Sequence, residues 1–223
     1  MGTQPLRHRL VLLSGGLDSA ATLYTSAPTE AQAMFVDYGQ VSAGAEERAA
    51  RALANARGVG LEVVRVSDLA RLGAGTLARA DATAGADGST DQQRQEWFPA
   101  RNLMLCAIGA ISLARAGGGE LALGTISESY RDTRVEFFES VERAIGEALP
   151  AETCIALVVP SEDRATALRR ACVAGLEPRL TFSCNRRPDR HCWRCASCRD
   201  RVELISALGM DTANRTAPSV RTA

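Results

Sequence analysis

The chain of 223 residues contains no lysine, so each of its 26 basic residues is an arginine. Any phosphate or carboxylate contact that a lysine ammonium usually makes must therefore come from a guanidinium group or from backbone N–H groups. Acidic residues also number 26, and the resulting net charge of zero gives no broad basic field of the kind that binds nucleic acids. Composition thus argues against a nucleic-acid partner.

Long apolar segments are missing as well. No run of about 18 apolar residues occurs, and the N-terminal MGTQPLRHRL lacks the apolar core of a signal peptide. These absences predict a protein that does not enter a membrane and that resides in the cytoplasm. Because 46% of the residues are hydrophobic, the chain can still build one sizeable core, or one core and a small appendage.

The most informative segment is RLVLLSGGLDSA, which runs from Arg9 to Ala20. Two adjacent glycines after an apolar strand let backbone N–H groups turn toward an anion, and the N-terminus of a following helix adds its positive dipole. The segment has neither the GxxxxGK[ST] pattern of a Walker loop nor the GxGxxG pattern of dinucleotide-binding folds. The alternative interpretation is an ordinary strand–turn–helix junction with a Ser or Asp cap. The predicted pyrophosphate loop consists of Ser14, Gly15, Gly16, Leu17, Asp18 and Ser19.

Apolar runs alternate with segments of helical periodicity along the chain. Strands are predicted at about residues 9–13, 32–36, 61–66, 120–123 and 154–159. Helices are predicted over Ala43–Arg57, Arg101–Ala116 and Val135–Leu149, where apolar or small residues recur every three or four positions. This order predicts an α/β fold with a doubly wound parallel sheet, whose ligand binds beyond the carboxyl ends of the strands. Residues 73–95, rich in Gly, Ala, Thr and Asp, are predicted to form a long surface loop.

Four of the seven cysteines crowd near the C-terminus with the spacing Cx7CxxCxxC, namely Cys184, Cys192, Cys195 and Cys198. Four thiolates at such spacings favour a structural, tetrahedral Zn²⁺ site, with a redox CxxC pair and an iron–sulfur cluster as alternatives. We therefore predict two units. Residues 1–180 form the α/β domain, and residues 181–223 form a small zinc-binding segment with a C-terminal helix or tail.

The motifs together resemble those of one family. SGGLDS at residues 14–19, DYGQ at 37–40, FPARN at 98–102, YRDTR at 130–134 and the terminal SC…CWRCASC follow one another in a fixed order. This order is similar to that of QueC, the 7-cyano-7-deazaguanine synthases of the ATP-pyrophosphatase (PP-loop) superfamily. That family carries SGGxDS, YGQ or YNQ, GRN, YPDCR and a cysteine cluster with the same final CxxCxxC.

The resemblance implies an adenine nucleotide alpha hydrolase-like, Rossmann-like fold and a homodimeric enzyme with one Zn²⁺ per subunit. It further implies the use of ATP and Mg²⁺ to convert 7-carboxy-7-deazaguanine and ammonia into the nitrile. The carboxylate would attack the α-phosphorus of ATP, and pyrophosphate would leave. Ammonia would then displace AMP, and the resulting amide would be adenylated again before it collapses to the nitrile.

Roles for single residues follow from the same resemblance. The implied catalytic residues are Ser14, Asp18, Ser19, Asp132 and Arg134. The nucleotide would bind to residues 14–19 together with Arg101, Asn102 and Arg164, and Asp18 would lie near Mg²⁺. The substrate would be bordered by Tyr38, Gln40, Arg101, Asp132 and Arg134. There an arginine suits a carboxylate, and an aspartate suits the N–H groups of a guanine edge.

The chain departs from the family pattern at the substrate end. Arg131 and Thr133 replace a proline and a cysteine, and Arg164 is the nearest replacement for a lysine that contacts phosphate. The segment before Tyr130 is about three residues short, with Glu128 as the candidate for a missing aspartate. Three alternatives therefore stay open. They are a QueC-like paralogue of the kind encoded in antiviral operons, which would couple the activated acid to another amine such as a protein N-terminus; a PP-loop enzyme that modifies tRNA; and a non-enzymatic zinc-ribbon binding module.

Overall fold

The computed structural model describes residues 8–72, 98–124 and 130–210. The predicted surface loop at 73–95 and the candidate Glu128 lie outside the described residues, as do residues 1–7 and 211–223.

Five strands alternate with helices, as the periodicity predicts. The strands are β1 (Arg9–Leu12), β2 (Ala31–Asp37), β3 (Leu61–Arg65), β4 (Gly119–Ala122) and β5 (Ile155–Val158). The helices are α1 (Leu17–Thr25), α2 (Ala43–Arg57), α3 (Arg101–Arg115), α4 (Val135–Ala148), α5 (Arg164–Val173) and α6 (Ala196–Ala207). Short 3₁₀ turns lie at Ser67–Leu72, Arg131–Thr133 and Pro178–Leu180. All five predicted strands and the three predicted helices are confirmed, with no end shifted by more than one residue.

The strands form one parallel sheet with the order β3-β2-β1-β4-β5. In the register of the sheet, Val11 of β1 lies between Ala33 of β2 and Ala122 of β4. The direction in which the chain adds strands reverses between β1 and β4, and a crevice opens beyond the carboxyl ends of strands at such a reversal. The doubly wound parallel sheet is thereby confirmed, and the loop after β1 lies at the crevice.

Two apolar layers cover the two faces of the sheet, because successive side chains of a strand point to opposite sides. Val11 belongs to the layer that contains Leu23 of α1 and Leu53 of α2. Leu12 belongs to the layer that contains Cys106 of α3. No helix among the described residues is long and apolar enough to cross a membrane.

The cysteine-rich part of the chain is not isolated from the sheet domain. Ile205 of α6 is buried in the same apolar layer as Leu23 and Leu53. The division at residue 180 therefore stays a prediction, since the segment after it shares a core with the segment before it.

Candidate functional site

The loop between β1 and α1 is pressed closely against its neighbours. Gly15 has a φ of +81°, and a Cβ added there would lie 2.6 Å from the carbonyl oxygen of Glu46 and 3.0 Å from the Cβ of Ala49. Gly124, just after β4, would bring a Cβ to 2.5 Å from the Cα of Ser19. Gly15 is therefore required by its left-handed backbone and by its contact with α2, and Gly124 is required by its contact with α1.

The loop presents polar groups at the start of α1. The hydroxyl oxygens of Ser14 and Ser19 lie 3.1 Å apart, and the Ser19 hydroxyl donates to the carbonyl oxygen of Gly16 at 3.2 Å. Gly16 occupies the N-cap position and supplies no side-chain acceptor for the first-turn N–H groups. An uncapped helix N-terminus beside two hydroxyls suits a phosphate group. Buried Leu17 fixes this end of the helix in the core.

Arg164, at the start of α5, connects two carboxylates across this loop. Its Nε and one terminal nitrogen donate to the two oxygens of Asp18 at 2.8 and 3.0 Å. Its two terminal nitrogens donate to the oxygens of Asp200 at 2.8 Å each. The hydrogen bonds to Asp200 and Asp18 outweigh partial burial and raise the pKa of the guanidinium, which stays charged. Asp18 belongs to the first turn of α1, and Asp200 belongs to α6.

A cavity of about 340 Å³ lies in front of the loop, within the size range of small-molecule sites. The sequence-predicted residues that line it are Ser14, Gly16, Leu17, Asp18, Ser19, Tyr38, Gln40, Arg101, Asn102 and Arg164. Gly15, Asp132 and Arg134 are not among its lining residues. The structure therefore brings the predicted nucleotide-binding residues together, with Gly15 packed against α2 instead of lining the cavity, and leaves two predicted substrate residues outside the cavity wall.

Glu46, which the sequence analysis does not single out, also lines this cavity. It accepts hydrogen bonds from Gln40 Nε2 at 2.8 Å and from the Ser42 hydroxyl at 2.6 Å. Burial raises the pKa of the Glu46 carboxyl in spite of these bonds. Glu46 lies three and four residues before Ala49 and Ala50, which the structure buries on the inner face of α2, whereas the charged run AEER gives no sequence signal for its burial.

Gln40 connects the loop after β2 to helix α2. Its Oε1 accepts the backbone N–H of Tyr38 at 3.0 Å, while its Nε2 donates to Glu46. The ring of Tyr38 meets that of Phe98 edge-on, with centroids 5.2 Å apart. Burial raises the pKa of Tyr38, and the charge of Arg101 opposes that shift. These contacts hold the loop after β2 against the start of α3.

The FPARN segment places Arg101 and Asn102 at the first turn of α3. Ala100 has a φ of +54°, a left-handed conformation, at the position where the GRN motif has glycine. Burial lowers the pKa of Arg101, but Tyr38 and Asp132 more than offset this effect, so the pKa is raised. Asn102 Nδ2 donates to the carbonyl oxygen of Asp132 at 2.8 Å. Asp132 is thus held beside the cavity by its backbone, and exposed Arg134 occupies the N-cap position of α4 without a side-chain capping bond.

The four predicted metal-ligating cysteines converge. The Sγ atoms of Cys184, Cys192, Cys195 and Cys198 all lie within 4.8 Å of one another. Tetrahedral Zn²⁺ with Zn–S bonds of about 2.3 Å needs sulfurs roughly 3.8 Å apart. The backbone N–H groups of Arg194 and Cys195 point at Cys192 Sγ, at 3.4 and 3.3 Å, and such bonds stabilise a thiolate ligand. This donor set fits Zn²⁺.

The cysteine group packs against α2, next to the loop between β1 and α1, which is called the phosphate loop below. Cys184, Cys195 and Cys198 are buried in one cluster with Phe182 and with Ala45 and Ala49 of α2. His191, next to Cys192, has its ring between Phe182 and Trp193, with centroids 4.8 Å from each. Its Nε2 accepts the backbone N–H of Ser183 at 3.1 Å, so this nitrogen is occupied by a hydrogen bond.

Comparison with known proteins covers almost the whole chain. The family model described as "Queuosine biosynthesis protein QueC" matches residues 8–208. A 7-cyano-7-deazaguanine synthase of Methanoculleus marisnigri is 30% identical over 218 residues, which are 92% of this chain and 97% of that protein. One from Nitrosospira multiformis is 32% identical over 202 residues, 85% of this chain and 87% of the relative. The solved structure of NMN synthetase from Francisella tularensis aligns over 98% of this chain and 91% of that one, with 11% identity and a TM-score of 0.32, too low to compare the two folds.

Proposed function

Because the chain belongs to the QueC family, as its motifs indicate, we propose that it is an ATP-dependent carbon–nitrogen ligase. It activates the carboxylate of 7-carboxy-7-deazaguanine and couples it to ammonia, giving 7-cyano-7-deazaguanine. The observation that carries the proposal is the uncapped, hydroxyl-flanked start of α1, which opens onto a cavity also lined by Arg101 and Arg164. A pyrophosphate loop and two guanidinium groups around one cavity suit a triphosphate and a carboxylate.

In the first step, a carboxylate oxygen attacks the α-phosphorus of ATP, and the bond between that phosphorus and the oxygen bridging to the β-phosphorus breaks. Negative charge gathers on the departing pyrophosphate. The N–H groups at the start of α1 and the hydroxyls of Ser14 and Ser19 receive that charge, so their contribution is electrostatic and positional. Asp18 is the residue that would hold Mg²⁺, which when bound neutralises phosphate charge.

In the second step, ammonia attacks the activated carboxyl carbon, and AMP leaves with one former carboxylate oxygen. The amide oxygen then attacks the α-phosphorus of a second ATP and pyrophosphate leaves, after which loss of AMP and of both nitrogen-bound protons yields the nitrile. Tyr38, Gln40, Arg101 and Asn102 border the cavity where these reactants must meet. We assign Asp132 and Arg134 to the deazaguanine ring or its carboxylate, since the backbone of Asp132 is bonded to Asn102, which lines the cavity.

In this proposal the cysteine group has a structural role. Zn²⁺ bound by the four thiolates would fix residues 181–210 against α2 and the phosphate loop, since Phe182 and three cysteines share a cluster with Ala45 and Ala49. We further propose that residues 1–180 and 181–223 are the two units, that the enzyme is a homodimer and that it works in the cytoplasm. Sedimentation of the purified protein tests the dimer.

A second candidate shares the activation step and differs in the amine. Arg131 is exposed, and the buried Thr133 hydroxyl donates to the carbonyl oxygen of Tyr130 at 2.9 Å. The turn therefore carries a bulky cation and a hydroxyl where the family has proline and cysteine. This change favours coupling to a different nucleophile, such as a protein N-terminus. In that case one ATP is consumed, and the partner protein gains the mass of the deazaguanine acyl group.

The test is an incubation of the protein with 7-carboxy-7-deazaguanine, ATP, Mg²⁺ and ammonium, with AMP and product masses as readouts. The proposal expects two AMP for each nitrile, and no AMP from Asp18→Ala. Asp189→Asn, which changes an exposed carboxylate outside the cavity, serves as the matched control and should react normally. If the wild-type protein forms no AMP in the presence of the acid, the proposal is wrong.

A further inference from the structure

Asp200 lines the cavity but belongs to none of the recognised motifs. It lies two residues after Cys198 on α6, and hydrogen bonds to Arg164 link it to Asp18 of the phosphate loop. The guanidinium is bound along two edges. One edge, Nε with a terminal nitrogen, faces Asp18, and the other, formed by the two terminal nitrogens, faces Asp200.

We propose that Asp200 is a positioning residue that keeps Arg164 in the cavity while the arginine exchanges Asp18 for a phosphate of ATP. This inference rests on the proposed function. Asp18 is the residue that would hold Mg²⁺, and a carboxylate turned to that ion would leave the Nε edge of Arg164 free for phosphate. That edge is the planar two-donor fork that binds two phosphate oxygens. Asp200 continues to hold the opposite edge.

The arrangement depends on arginine chemistry. A lysine ammonium is a single point charge and offers no second edge, whereas the guanidinium presents five donors in a fixed plane. An unanchored arginine would lose much side-chain freedom on binding phosphate, because its long side chain has many rotamers. Asp200 removes part of that loss in advance, since it fixes the side chain before the nucleotide binds.

The net charge of the site and the positioning of Arg164 predict opposite changes in ATP affinity when the Asp200 carboxylate is removed. Asp18, Arg164 and Asp200 together carry one net negative charge, and removal of the Asp200 carboxylate makes the site less repulsive to an anion. If only charge mattered, Asp200→Ala would bind ATP more tightly. If Asp200 positions Arg164, the same variant binds ATP more weakly. The expected loss is about fivefold in affinity, in line with a partly exposed ion pair.

The measurement is calorimetric binding of α,β-methylene-ATP with Mg²⁺ to the full zinc-loaded chain. Asp200→Ala is measured in the wild-type and the Arg164→Ala backgrounds, and Asp189→Asn is the control. We expect the loss in the wild-type background, no further loss when Arg164 is absent, and unchanged zinc content. Asp200→Asn keeps one acceptor, so it should show a smaller loss, and it replaces Asp200→Ala if that variant does not fold.

Three results would overturn the inference. They are equal or tighter binding by Asp200→Ala, equal losses with and without Arg164, and a loss of the same size in Asp189→Asn. A wild-type protein that does not bind the analogue would instead contradict the proposed function, and the inference would fall with it. The two failures are therefore distinguishable by the wild-type measurement alone.

Discussion

Phe182 donates its backbone N–H to the carbonyl oxygen of Gly15 at 2.8 Å. This bond joins the cysteine-rich segment to the phosphate loop, although the two residues are far apart in the chain. Phe182 also packs with the buried cysteines against α2, on which Gly15 rests. The position of the loop between β1 and α1 therefore depends on the order of the segment that carries the four cysteines.

Loss of the metal should accordingly weaken nucleotide binding as well as folding. Cys195→Ser removes one of four thiolates from a buried group, and metal binding by such groups contributes directly to folding free energy. We expect loss of stoichiometric zinc, a drop of several kilocalories per mole in the free energy of unfolding, and weaker binding of ATP. Metal analysis, urea unfolding and calorimetry measure the three effects.

Cys154→Ser is the matched control, because Cys154 is an exposed thiol outside the cysteine group. It should keep the zinc content, stability and ATP affinity of the wild type. A Cys195→Ser protein that keeps full ATP affinity after losing zinc would disprove the dependence of the loop on the metal segment.

A pair of glycine substitutions separates backbone strain from crowding in the phosphate loop. Gly15 and Gly58 both have positive φ, at +81° and +75°, but an added Cβ meets nothing within 4 Å at Gly58. Gly58→Ala should cost about 1 kcal/mol of stability through the left-handed conformation alone. Gly15→Ala adds a clash with the backbone of Glu46 and should cost about 3 kcal/mol in all.

Urea unfolding of the two variants gives the comparison, and the entropy that alanine removes from the unfolded chain cancels between them. Equal losses would mean that the phosphate loop does not rest on α2 as the structure has it.

The contributions of two neighbouring glutamates, Glu46 and Glu47, to stability should change in opposite directions with pH. Burial raises the pKa of Glu46, so the native state holds this proton more tightly than the unfolded chain does. The corresponding stability is present below the usual value of 4.5 and is lost as the pH rises through the raised pKa. Glu46→Gln should therefore stabilise the protein more at pH 8 than at pH 4.

Glu47 gives the opposite case. Hydrogen bonds from Arg51 lower its pKa, so its stabilising contribution is present above 4.5 and is lost as the pH falls. Glu47→Gln should reduce stability at pH 8 and have little effect at low pH. Melting temperatures of the two variants and of the wild type, measured between pH 4 and pH 8, test this pair. If the change in melting temperature follows the same course with pH in both variants, Glu46 is not buried as the structure has it.

The sequence was sufficient for most of the fold because its periodicity is strong. Helix α2 begins and ends at the predicted residues, since Ala43–Arg57 has small or apolar residues on one face and a glycine directly after it. The phosphate loop and the four cysteines were also predictable, because each depends on closely spaced residues. The binding of ATP by the loop and of Zn²⁺ by the cysteines remains a prediction.

Contacts between distant segments were not predictable in this way. Glu46 stands in the charged run AEER and has the composition of a solvent-exposed helix face, yet the loop after β2 covers it. Asp200 belongs to no motif, and its importance depends on the side-chain direction of Arg164 in another helix. Asp132 was expected in the cavity, whereas its carbonyl oxygen is held by Asn102 beside the cavity.

In the proposed reaction, the carboxylate of the substrate attacks the α-phosphorus of ATP in front of Ser14–Ser19. The most direct measurement uses 7-carboxy-7-deazaguanine labelled with ¹⁸O in both carboxylate oxygens, followed by mass spectrometry of the AMP. If the claim holds, each AMP released carries one ¹⁸O atom from the acid. AMP that forms without the label would show that water, and not the carboxylate, attacks the phosphorus, and it would contradict the account.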